Sequence, residues 1–106
     1  MSETIKQKIE RARKAFDEIS DYTQEQVDKL IYEAGKIIYQ NAAKLAEMAV
    51  NETGLGDVNE KILKNEETGA VFWEYLKDKK SVGIINPEPD EDGLIKVAHP
   101  VGVIAA

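Results

Sequence analysis

From Val27 to Ala49, apolar side chains recur at helical spacing through Leu30, Ile31, Ala34, Ile37, Ile38, Ala42, Leu45 and Met48. Few folds accommodate so long a run. Steps of three and four place these residues on one side of an α-helix. Thr23 stands at the N-cap position, with Gln26 three residues on to return a bond, and Tyr22 and Val27 hold the two positions of a hydrophobic staple. Gly54 supplies a left-handed stop. The expected helix, 24–52, is roughly 40 Å long at 1.5 Å per residue, which is long for a self-contained domain of 106 residues. Gly35 in its middle costs about 1 kcal/mol relative to Ala, and close packing of another element is the expected reason.

The flanking segments follow from similar patterns. Ile5, Ile9, Ala12, Phe16 and Ile19 form one stripe and predict a helix near 3–19. The basic run Arg11, Arg13 and Lys14 reads as a solvated face. Asp57 and Glu60 have capping-box spacing and open a third helix, near 57–78, with an interruption possible at Asn65 or Gly69. Its second half carries Val71, Phe72, Trp73, Tyr75 and Leu76, an aromatic cluster suited to a core or an interface. After "KDKK" the period changes. "SVGII" and "LIKVA" predict strands near 81–85 and 94–98, joined by the long tip "NPEPDEDG" with a turn at Asp92-Gly93. "VGVIAA" predicts a third strand near 101–106, apolar on both faces as in a covered parallel sheet.

Composition narrows the functions available. With 20 acids against 14 bases the net charge is −6, which disfavours a phosphate-backbone partner and hence nucleic acid. The N-terminus lacks an apolar signal region and no segment has the length of a membrane span, so the expected location is cytoplasmic. No cysteine is present, which removes disulfides, thiolate metal sites and a cysteine nucleophile from these residues. His99, the single histidine, precedes Pro100 at a strand end and reads as structural. The acids Glu88, Asp90, Glu91 and Asp92 lack calcium-loop spacing. Gly54-Leu55-Gly56 follows a helix instead of a strand and lacks the third glycine of a dinucleotide fingerprint. The sequence therefore offers no catalytic, no cofactor-binding and no metal-ligating residue.

Four pieces in order carry a resemblance: "YTQEQVDKLIYEAGKIIYQNAAKLAEMAV", "NETGLGDVNEKILKN", "KDKKSVGII" and "KVAHPVGVIAA". Together they resemble the N-terminal segment of aldehyde dehydrogenases, most closely the CoA-acylating branch. That branch includes acetaldehyde, succinate-semialdehyde and sulfoacetaldehyde dehydrogenases and the aldehyde half of bifunctional alcohol dehydrogenases. The resemblance implies a truncated α/β aldehyde dehydrogenase fold: three N-terminal helices, a β-hairpin and the start of a buried strand. It implies that residues 1–80 are the helical part of the cofactor-binding domain and 81–99 an oligomerisation-type hairpin. Residues 100–106 would be the first strand leading into the cofactor-binding sheet.

The whole enzyme implied in this way oxidises a short aldehyde to its acyl-CoA, with NAD or NADP and coenzyme A, through a cysteine thioester. The resemblance further implies a homo-oligomer formed through the hairpin. Residues 1–106 alone are expected to be inactive and to bind neither cofactor. The alternative is a non-enzymatic helical interaction or dimerisation module.

Overall fold

Residues 2–106 are described by a computed structural model, in which they form four helices and one two-stranded antiparallel sheet. The helices are α1 (Ile5–Ile19), α2 (Gln24–Gln40), α3 (Ala42–Thr53) and α4 (Val58–Leu76), and the strands are β1 (Gly83–Ile84) and β2 (Val97–Ala98). Two compact units are present. One comprises residues up to Glu25 together with Lys80–Ala106, and the other Gln26–Lys79, so the boundary falls in the first turn of α2.

The helical unit is an antiparallel arrangement built on a backbone contact. The expected helix over 24–52 is two segments, α2 and α3, with Asn41 between them at φ −109° and ψ 18°. The hydrogen-bond ladder nevertheless runs through the joint. Asn41 N donates to the Ile37 carbonyl at 3.0 Å, and Leu45 N donates to the Asn41 carbonyl at 2.9 Å. The Asn41 side-chain amide donates to the same Ile37 carbonyl at 2.8 Å. A local side-chain donor competing for a helix carbonyl is a recognised cause of bending. Asparagine at this position therefore explains why one periodic run becomes two helices.

Gly54 ends α3 in the left-handed region at φ 66°, its N–H donating to the Val50 carbonyl at 2.8 Å. Asp57 then caps α4, its Oδ1 accepting the Glu60 N–H at 3.0 Å. The short connection turns α4 back along α3 and α2. Asn65 Nδ2 donates to the Ala42 carbonyl at 3.1 Å, Gly69 lies against Gly35 and Tyr39, and Trp73 meets the Tyr32 ring edge-on at 5.3 Å. Each step up α4 is matched by a step down the α3–α2 rod. The interruption expected at Asn65 or Gly69 is absent, because both residues face the partner helix within a continuous α4.

Glycine is required at this crossing by space. A Cβ on Gly35 would lie 2.6 Å from the Gly69 carbonyl oxygen, and one on Gly69 would lie 2.6 Å from the Gly35 oxygen and 3.0 Å from Tyr39 N. The rod's long apolar run divides into two stripes. Val27, Ile31, Ile38 and Ala49 are half-buried, and Ala42 and Ala46 fully so. Leu30, Ile37, Leu45 and Met48 form a second, exposed stripe.

In the other unit, α1 opens on a capping box. Thr4 Oγ1 accepts the Gln7 N–H at 3.2 Å, and Gln7 Oε1 accepts the Thr4 N–H at 2.9 Å. The α1 stripe is half-buried at Ala12, Phe16 and Ile19 and exposed at Ile5 and Ile9. The hairpin pairs Gly83 with Ala98 and Ile84 with Val97, and Ile85 N donates to the Lys96 carbonyl at 2.8 Å. Both strands are shorter than expected, because side chains take over the backbone bonding beyond these pairs. Residues 101–106 form no strand and are mostly exposed, Val101 by 84%. A strand needs a hydrogen-bonding neighbour, and among the described residues this segment has none.

Replacing Gly69 with Ala is expected to destabilise the helical unit by about 1–3 kcal/mol, the usual cost of an extra methyl in a filled contact. Trp73 is the single tryptophan, so its fluorescence reads the α2–α4 contact directly. A lower thermal midpoint with a red-shifted emission is the expected result, and an unchanged spectrum would contradict it.

Candidate functional site

Two features have the geometry to take part in function: a groove between α2 and α4, and the base and tip of the hairpin. Beside the point where α2 and α4 touch through backbone, and next to the Tyr32–Trp73 contact, lies a recess of about 260 Å³. Gly69 and Ala70 line it together with Tyr32, Lys36, Tyr39, Trp73 and Glu74. Glu74 is paired with Lys77 Nζ at 2.6 Å, and that hydrogen bond, with the attraction between the charges, raises the Lys77 pKa above the ordinary lysine value. The groove contains no cysteine, serine, threonine or histidine. It has aromatic walls and charged rims, and no nucleophile paired with a base.

At the hairpin's base, the Gln24 side chain serves as a backbone clamp. Its Oε1 accepts the N–H groups of Ser81 at 2.7 Å and Val82 at 3.0 Å, while its Nε2 donates to Ser81 Oγ at 2.9 Å. The tip is held by Asn86 and Asp90. Asn86 Nδ2 donates to the carbonyls of Glu88 (3.0 Å) and Leu94 (3.1 Å), and its Oδ1 accepts the Lys96 N–H at 2.5 Å. One oxygen of Asp90 accepts the N–H groups of Asp92 at 3.0 Å and Leu94 at 2.9 Å. Gly93, at φ 76°, completes the turn by donating to the Asp90 carbonyl at 2.9 Å.

The acidic tip thus has a structural explanation in the Asp90 carboxylate, which binds backbone amides. Among the described residues no group of three His, Cys, Asp or Glu side chains is arranged to hold a metal ion. His99 is exposed just beyond β2. Gly54 and Gly56 form the loop between α3 and α4, so they are not a strand-to-helix glycine turn for a pyrophosphate. Arg11 donates to both oxygens of Glu3, at 3.0 and 2.8 Å. These bonds, reinforced by attraction to Glu3, raise its pKa above the ordinary arginine value. No helix among the described residues is long and apolar enough to cross a membrane.

Sequence reasoning singled out neither Gln24 nor Asn86. Asn86-Pro87 and the Asp90 to Gly93 spacing carry a turn signal that identifies the tip residues. Gln24 carries none, since its partner lies 57 positions away.

Comparison with known proteins places these features in a family. The profile described as the aldehyde dehydrogenase family matches residues 1–106. The chain is 45% identical over 103 residues to a succinate-semialdehyde dehydrogenase (acetylating) of Clostridium kluyveri, covering 97% of this chain and 22% of that protein. It is also 45% identical over 105 residues to a sulfoacetaldehyde dehydrogenase (acylating) of Bilophila wadsworthia, with the same coverages. A solved structure of an acetylating aldehyde dehydrogenase from Geobacillus thermoglucosidasius superposes with a TM-score of 0.67 at 37% identity, over 79% of this chain and 18% of that one. The chain therefore spans about a fifth of the length of these relatives.

Replacing Gln24 with Ala removes the acceptor for two amides. At about 1 kcal/mol per hydrogen bond, hydrogen exchange at Ser81 and Val82 should quicken by about fivefold or more. Gln24→Glu keeps the acceptor oxygen and is expected to preserve most of the protection. Equal exchange in both variants and the wild type would show that the clamp does not hold the hairpin base.

Proposed function

The chain belongs to the aldehyde dehydrogenase family, and from that premise we propose that it is part of a CoA-acylating member acting on a short aldehyde. The observation that supports this most directly is identity of 45% across nearly the whole chain to two relatives described as acetylating or acylating. In this reading a cysteine thiolate attacks the aldehyde carbon, hydride leaves that carbon, and the resulting thioester passes its acyl group to coenzyme A, regenerating the thiolate. When bound by the whole enzyme, NAD or NADP would supply the hydride acceptor and coenzyme A the thiol that takes up the acyl group.

Residues 1–106 are read here as carrying no step of this chemistry. They contain no cysteine, so the thioester step is assigned to none of them. Their role is to build and position. Residues 1–80 would form the helical part of the cofactor-binding domain, 81–99 a hairpin for oligomerisation, and 100–106 the approach to the cofactor-binding sheet. The exposed, unpaired state of 101–106 agrees with a segment whose neighbouring strand lies in the rest of the fold. A cytoplasmic location and assembly into a homo-oligomer belong to the same reading.

The test is to assay the product of the complete reading frame and residues 1–106 side by side, following reduced nicotinamide by absorbance. Acetaldehyde, succinate semialdehyde and sulfoacetaldehyde would each be offered with coenzyme A present and absent. CoA-dependent oxidation by the former and none by the latter is expected. Turnover by residues 1–106 alone would overturn the division of roles. CoA-independent release of a free acid by the former would replace the acylating assignment.

A further inference from the structure

We propose that the recess between α2 and α4 binds a small aromatic carboxylate, its ring packed against Tyr32, Tyr39 and Trp73 and its carboxylate facing Lys36. The proposal does not rest on the function proposed above. Size is the first constraint. At about 260 Å³ the recess falls just short of the ~300–1,000 Å³ of sites for drug-sized ligands, which limits an occupant to one or two rings. Gly69 and Ala70 add nothing longer than a methyl group to the lining, so the larger side chains of both helices bound the space. The walls determine the kind of occupant. Tyr32 and Trp73 meet edge-on at 65°, so the ring that presents its edge keeps both faces clear of that contact. Tyr32 is 43% and Tyr39 51% exposed, so neither ring is enclosed by the packing of the unit. Such rings accept a further aromatic ring by offset stacking or edge-to-face contact.

Charge decides between ligands of the same shape. Two charged side chains line the recess, Lys36 and Glu74. Glu74 is committed to Lys77 at 2.6 Å, whereas Lys36 has no ion pair with a described residue. Its ammonium group offers three donors on a flexible stem. An anion in the recess therefore meets an unpaired cation, and a cation would compete with Lys77 for Glu74. Aromatic faces also attract cations, which makes a quaternary ammonium the competing occupant, and Lys36 in the same recess opposes it. The backbone contact of Gly35 with Gly69 holds α2 and α4 together beside the recess, so its walls are in place before a ligand arrives, which lowers the cost of binding.

The test compares benzoate with the neutral benzamide and the cationic phenyltrimethylammonium, by ligand-detected nuclear magnetic resonance. Each is titrated against residues 1–106 and against the product of the complete reading frame. Benzoate should bind tightest to both. Lys36→Met should weaken it about three- to fivefold, the worth of an ion pair open to solvent, and Lys36→Arg should restore it. Lys36 is exposed and methionine is as good a helix former as lysine, so the substitution leaves the fold intact. Tyr39→Ala should weaken all three ligands, and Lys44→Met, which removes an exposed charge outside the recess, should change none. Equal affinity for the three ligands, or indifference to Lys36→Met, would overturn the proposal. Tightest binding of the cation would overturn it in favour of an aromatic cage served by Glu74. Binding to residues 1–106 but not to the longer product would overturn it by showing that the recess is filled in the whole protein, and binding to neither would do the same. Where residues 1–106 fail to fold, the longer product decides by the same criteria.

Discussion

The contact of Gly35 with Gly69 sets the geometry of the helical unit. Each carbonyl occupies the space a methyl group on the other residue would need, so the two helices meet through backbone. That approach fixes the register of everything along α4. Tyr32 meets Trp73 and Ala42 meets Asn65 because they lie one to two turns on either side of the crossing. The recess between the aromatic side chains lies beside the same crossing.

Gly35 illustrates what a sequence can disclose. A glycine in a strongly periodic helix is a local cost, and a nearby element is a sufficient physical reason to retain it. That inference agreed with the structure, although the partner, another glycine, was not identified. The same period concealed the division of the rod into two stripes. Leu30 and Ile31, or Ile37 and Ile38, are adjacent in sequence and fall within one broad apolar arc. Only the position of α4 shows that Ile31 and Ile38 turn inward while Leu30 and Ile37 do not. Periodicity reports the width of an apolar face and is silent on how many neighbours share it.

Caps and turns were the most legible elements, since their determinants lie within a few residues of one another. Gly54, Asp57 and the Asp92-Gly93 turn do what their residue types predict. The Thr4–Gln7 capping box has the same kind of signal. The joint at Asn41 and the Gln24 clamp were not legible. At Asn41 the side-chain amide adds a second donor to a carbonyl that already accepts the backbone N–H, a local bond that residue type alone does not announce. At Gln24 the partner arrives from across the chain. The strands near 81–85 and 94–98 were expected to pair along their length. Asn86 and Asp90 instead supply the bonds that backbone groups would have made, which shortens the regular ladder while preserving the hairpin.

These two ways of holding structure together bear on what such a chain can contribute to an enzyme. The hairpin is specified by polar side chains bonding to backbone, an arrangement that needs no hydrophobic core and tolerates water on both faces. The helical unit is specified by a tight backbone contact, yet only Ala42, Ala46 and Gly69 are fully buried in it. Burial of a methyl group stabilises by about 0.8 kcal/mol, so the small residues at the centre of this unit contribute shape more than free energy. Shape without much burial suits a segment whose stability is completed by a larger body. The same reasoning accommodates a chain free of cysteine within an enzyme family. The chemistry of an active site requires a few reactive groups at fixed positions, and fixing those positions requires many residues with no reactive group at all.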